Sequence, residues 1–121
     1  MASGKAIGEF SLKVVSTTLE AGPAGSILNK VNLEGTATGF GAIFETATFI
    51  GGPKDGTFSE VGVAYLDTGE ALSGIGRGTY ESNGKHRWKT SSTMELSDGR
   101  RIAATGEIDL ASRTWKGTLT E

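Results

Sequence analysis

The 121 residues carry 12 Lys and Arg against 14 Asp and Glu, a net charge of -2, so the clustered positive charge that a nucleic-acid surface needs is missing. There is no cysteine, which excludes disulfides, zinc–thiolate sites and thiol nucleophiles. The length fits a single domain over residues 1–121. With no run near the roughly 18 apolar residues of a membrane span and no apolar leader core in Met1-Ala2-Ser3-Gly4-Lys5, the expectation is a cytoplasmic protein with no membrane partner.

Residues 7–20 alternate as a strand, with Phe10, Leu12 and Val14 on one face, until Gly22-Pro23-Ala24-Gly25 breaks it. Residues 26–39 read as a second strand in which Val31, Leu33, Gly35 and Ala37 share a face. Residues 42–50 are apolar on both faces, Phe44 and Ile50 on one and Ile43, Ala47 and Phe49 on the other. Gly51-Gly52-Pro53-Lys54-Asp55-Gly56 is the strongest turn signal, and further turns follow at Asp67-Thr68-Gly69, Ser82-Asn83-Gly84, Ser97-Asp98-Gly99 and Ala111-Ser112-Arg113. This rhythm predicts an all-β protein: one antiparallel up-and-down barrel of about eight strands. Closure removes exposed edges, and a barrel of that size has room for side chains or one small ligand.

The turns also predict which face is inside. Three of them fit three-residue hairpin loops, and an odd loop pairs residues of equal parity: Leu66 with Glu70, Tyr80 with His86, Leu96 with Arg100. Even-numbered residues from Phe58 to Leu110 then share a face, and the odd face is the charged one, so even is inside. A one-residue slip would instead turn Val61, Val63 and Tyr65 inward.

On the inner face Gly74, Gly76 and Gly78 leave a bare stripe, which predicts an internal cavity. The stripe is not a phosphate loop: the third glycine comes one residue too early for G-x-G-x-x-G, and no helix follows. The predicted register sets Glu60 opposite Gly76, Trp88 opposite Gly78, and Thr90 and Gly106 in the same row as Glu60. Phe58, Tyr80 and Trp88 would wall the hollow, with Thr90 and Ser92 as hydrogen-bonding groups. Glu60 is the candidate catalytic acid or base, since a carboxyl desolvated among aromatics has a raised pKa. Phe58, Gly76, Tyr80, Trp88, Thr90 and Ser92 are the candidate substrate-binding residues. Gly76→Val is expected to fill the hollow while suiting a strand better. Whether Glu45 also faces inward depends on the register of the first three strands. His86, the one histidine, reads as a rim residue, and neither a metal site nor a cofactor is expected.

This strand-and-turn rhythm resembles calycin-like small β-barrels, in the broad sense that spans lipocalin-like, avidin-like and allene oxide cyclase-like proteins. Locally, Gly78-Thr79-Tyr80-Glu81-Ser82 looks like a strand-end segment of avidin-type barrels, although the aromatic set for biotin is matched only at Trp88 and Trp115. The resemblance implies a cavity, used in some relatives for binding and in cyclase-like relatives for cofactor-free isomerisation or ring closure. The expected function is a pocket for a small hydrophobic molecule, acted on by a cofactor-independent isomerase, cyclase or lyase through Glu60. A non-catalytic carrier of the same kind of molecule and a structural assembly subunit are the alternatives. An outer apolar patch of Ile43, Ala47, Phe49, Val61, Val63 and Tyr65 is expected to drive formation of a homodimer or higher homo-oligomer.

Overall fold

A computed structural model describes residues 4–121; the leader reading at Met1, Ala2 and Ser3 lies outside the described residues. Eight strands follow one another: β1 (Ala6–Ala21), β2 (Ile27–Ala37), β3 (Gly41–Gly51), β4 (Asp55–Tyr65), β5 (Ala71–Ser82), β6 (Arg87–Leu96), β7 (Arg101–Asp109) and β8 (Thr114–Thr120). One 3-10 turn, Pro23–Gly25, interrupts the meander. Every strand pairs antiparallel with the next, and β8 returns to β1 from Ala6 opposite Thr120 to Lys13 opposite Thr114, closing the barrel. No helix among the described residues is long and apolar enough to cross a membrane.

The equal-parity pairing holds from β4 to β7. Glu60 lies opposite Gly76, Leu66 donates to the Glu70 carbonyl and accepts from Gly69, and Leu96 donates to the Arg100 carbonyl. The β5–β6 hairpin is longer than the three-residue loop expected of it. Its strands pair Ser82 with Trp88 and Tyr80 with Thr90, not Tyr80 with His86, and Gly78 consequently faces Ser92 instead of Trp88. The shift is an even number of residues, so every side chain keeps its face. Phe58, Glu60, Thr90, Ser92 and Ile102 are buried, while Leu110, at the end of the series, falls in a turn and is exposed.

In β3 the expected outer face is the inner one. Four residues separate the paired Gly51 and Gly56, and an even loop joins odd positions on β3 to even positions on β4. Ala47 is therefore fully buried opposite Glu60, Phe49 lies opposite Phe58 inside the barrel, and Phe44 and Ile50 point outward. On β3 to β5 the apolar outer surface consists of Phe44 and Ile50 together with Val61, Tyr65 and Ile75, not of Ile43, Ala47 and Phe49.

Interior glycines are matched to large neighbours. A Cβ on Gly78 would sit 2.7 Å from Phe58 Cζ, one on Gly76 2.7 Å from Met94 Cγ, and those on Gly106 and Gly117 2.9 and 2.8 Å from Phe10 ring atoms. The stripe thus does not leave a hollow in front of Gly76. It receives Phe58 and Met94. Phe49, Phe58 and Trp115 pack with ring centroids 5.1 to 5.8 Å apart, and Phe10 meets Trp115 edge-on at 6.3 Å. Together they make an aromatic layer across the middle of the barrel, with Trp115 Nε1 donating to Thr90 Oγ1 at 3.0 Å.

Overpacking of this kind reverses the expected effect of Gly76→Val. Its β-branched side chain would collide with Met94 and with the Thr93 carbonyl, so the variant should lose about 1–3 kcal/mol in urea denaturation. Ile75→Ala, on the exposed face of the same strand, should change stability by only about 0.5 kcal/mol. Equal stability of Gly76→Val and the wild type would show that Met94 does not occupy this space.

Candidate functional site

The aromatic layer separates two concave spaces. The first lies toward the end of the barrel that carries the β2–β3, β4–β5 and β6–β7 turns. It is a recess of about 100 Å³ with mostly apolar walls, among them Leu12, Phe40, Ile43, Leu72, Met94 and Ile102, and Trp115 as its floor. Its polar lining comes from Glu45, Glu60, Ser73, Thr90 and Ser92. The second is a wider mouth of about 640 Å³ at the opposite end, where Tyr80, Trp88 and Trp115 are among the lining residues.

Two carboxyls meet in the recess. Glu45 on β3 pairs across from Gly62, and Glu60 on β4 pairs across from Ala47, so the two acids are diagonal neighbours on adjacent strands. Gly62 provides the room, because a Cβ there would come within 2.9 Å of Glu45 Cβ. Glu60 is 8% exposed. One oxygen of each carboxyl, Oε2 in both cases, is buried without a hydrogen-bond partner. Lys, Arg and His are all missing from the lining.

Burial pushes the Glu45 carboxyl well above its ordinary value of 4.5, and the negative charge of Glu60 together with the hydrogen bond between the two carboxyls pushes it further. Burial raises Glu60 as well, partly offset by the hydrogen bonds it accepts from Glu45 and Ser92. The two carboxyls titrate as a coupled pair, both raised, with Glu45 raised further than Glu60.

Of the residues expected to form one site, the structure brings Glu60, Thr90 and Ser92 together in the recess. Phe58 belongs to the aromatic layer, and Gly76 is covered by Met94. Tyr80 and Trp88 are separated from Glu60, since both line the mouth on the other side of the layer. There Tyr80 OH donates to the Gly52 carbonyl at 2.8 Å and Trp88 Nε1 to the Pro53 carbonyl at 2.8 Å. Glu45 is the residue that the sequence leaves unplaced, and the signal for it is the even number of residues in the turn between Gly51 and Gly56. His86 lies exposed in the β5–β6 turn. Among the described residues no three His, Cys, Asp or Glu side chains cluster as a metal site.

Comparison with protein-family models, with curated proteins and with solved structures finds no match for this chain. What chemistry the site can support therefore follows from the carboxyl pair itself.

The raised values fix the sign of a pH effect. A carboxyl that binds its proton more tightly in the folded than in the unfolded state stabilises fully below the unfolded value near 4.5, and that contribution fades as pH rises through the folded value. Urea-denaturation midpoints should therefore fall as pH increases above 4.5. Glu45→Gln should flatten the curve and raise stability at pH 8. A Glu45→Gln variant less stable than the wild type at pH 8 would show that the carboxyl is held by partners in the folded protein.

Proposed function

We propose that the recess takes a small, mostly apolar molecule and that the protein is a cofactor-independent isomerase or lyase moving protons through Glu45 and Glu60. The observation that carries this reading is the pair of buried carboxyls, each with an unpartnered oxygen, in one apolar recess. Burying two like acids without a cation costs stability, and such an arrangement is the mark of a functional site.

In the proposed step the Glu60 carboxylate accepts a proton from a carbon beside a polarised group, and the Glu45 carboxylic acid delivers its proton to the other end of the same unsaturated system. One proton leaves the substrate and one arrives, and the proton now on Glu60 passes back to Glu45 to restore the pair. Ser92 lines the recess with Glu60, and its hydroxyl favours the ionised form of that carboxyl. At about 100 Å³ the recess is smaller than the roughly 150 Å³ cavity that holds benzene, which limits the reacting portion to a fragment no larger than that ring. The calycin-like resemblance fits this reading through its cyclase-like members, and a non-catalytic carrier would use the same recess without the proton step.

Small cyclic ketones in deuterated water provide the assay, with exchange beside the carbonyl followed by mass spectrometry. The wild type should accelerate exchange, Glu60→Gln should slow it by about 10²–10⁴-fold, and ketone binding should persist in the variant. Binding with no exchange in either protein would leave the carrier reading. Exchange at an equal rate in both would remove Glu60 from the chemistry.

The filled glycine faces favour a second reading, a structural assembly subunit. Its surface would be the outer apolar patch across β3, β4 and β5, where Phe44 meets Tyr65 edge-on at 6.1 Å and Val61 and Ile75 pair side by side. A homodimer through this patch should give twice the chain mass in light scattering at micromolar concentration, and Val61→Lys should return it to a monomer. A monomer mass for the wild type would exclude self-association through this face.

A further inference from the structure

The wide mouth at the opposite end has no part in the carboxyl chemistry, yet it is the larger of the two spaces, and its volume of about 640 Å³ lies in the range of small-molecule sites. Its walls are aromatic and aliphatic, including Phe49, Tyr80, Trp88, Ile108 and Leu110. The polar tips of the two amphipathic rings are already engaged. Tyr80 and Trp88 both donate to carbonyls of the β3–β4 turn, at Gly52 and Pro53. Gly51 and Gly56 let the Tyr80 hydroxyl reach that turn, because a Cβ at either would come within 3.0 and 2.6 Å of it. The rings are pinned, and what they offer the mouth is apolar surface.

Thr17 and Asn29, on the β1–β2 side, are hydrogen-bonded to each other. That leaves Arg113 as the one charged residue in the lining. Among the described residues it makes no salt bridge. It sits in the β7–β8 turn with left-handed backbone, φ 54°, and the turn is fastened to β1 by a bond from Val14 N to the Arg113 carbonyl at 3.0 Å. Asp109 braces the same turn by accepting from Ala111 N at 3.0 Å. An arginine with no salt-bridge partner, carried on a braced turn at the rim of an aromatic bowl, is suited to a flat anion.

We infer that this mouth is a second binding site, for a planar, largely apolar molecule carrying one carboxylate or sulfonate group, with the ring system against Tyr80 and Trp88 and the anionic group on Arg113. Recognition divides between the two parts of the ligand. Stacking in the bowl supplies affinity for any ring system of the right size, and Arg113 selects the charged one.

Two fluorescent probes of similar shape test this, 8-anilinonaphthalene-1-sulfonate and its uncharged analogue N-phenyl-1-naphthylamine. The anion should bind saturably and quench tryptophan emission. Arg113→Gln should weaken the anion by about tenfold or more, a loss of about 1.4 kcal/mol, and alter the neutral probe less than twofold. Arg113→Lys should recover part of the anion's affinity. Val61→Ser, on the outer apolar patch, should leave both probes unchanged. The inference is overturned if the anion fails to saturate by about 1 mM. It is equally overturned if Arg113→Gln affects both probes alike with an unchanged circular dichroism spectrum, or if Val61→Ser abolishes binding.

Discussion

The packing of aromatic rings onto glycines is the constraint on which the rest of this barrel depends. An eight-stranded barrel has little interior, and four large rings meet at its centre only because the strands beneath them lack side chains. Phe58 lies on Gly78, Phe10 lies on Gly106 and Gly117, and Trp115 joins both rings to Phe49. The layer so formed seals the middle of the barrel. Everything on one side of it belongs to the carboxyl recess and everything on the other to the mouth, and Trp115 lines both.

Within the recess the electrostatics oppose the packing. Apolar walls lower the local dielectric, and that strengthens the repulsion between two carboxylates as much as it penalises each one separately. In the role proposed for the pair, it escapes by keeping a proton, which turns repulsion into a hydrogen bond. The Ser92 hydroxyl favours the ionised form of Glu60, and Thr90, although it lines the same space, is committed to Trp115. The Thr90–Trp115 bond links the site to the layer, so the orientation of the recess floor depends on a residue of the recess wall.

The barrel and the faces of β4 to β7 are legible in the sequence because alternation and loop parity are local properties. At 67–69 and 97–99 a left-handed glycine closes each loop, with φ of 95° at Gly69 and 93° at Gly99, as the turn chemistry requires. The 82–84 turn is longer than its signal suggests, since His86 as well as Gly84 has a positive φ and the chain makes a wider reversal. Two other departures have different causes. The sidedness of β3 is hidden because both of its faces are apolar, so that composition is silent and the even count from Gly51 to Gly56 is the deciding feature. The glycine stripe reads as empty space because a sequence shows which residue lacks a side chain but not which distant residue fills the gap. Met94 and Phe58 reach the stripe from neighbouring strands. The aromatic layer that parts Tyr80 and Trp88 from Glu60 is hidden for the same reason, being assembled from β1, β3, β4 and β8.

Carbon-13 NMR of the glutamate side-chain carboxyls, followed through a pH titration, measures directly whether Glu45 and Glu60 hold one proton between them in the folded protein. Two resonances, assigned by Glu45→Gln and Glu60→Gln, should titrate in coupled steps above the ordinary value of 4.5, with Glu45 the higher of the two. Glu60→Gln should lower the value of Glu45, and in either variant the remaining acid should titrate in a single step. Independent titration of both carboxyls at the ordinary value would contradict the shared proton and, with it, the acid and base roles proposed for the pair.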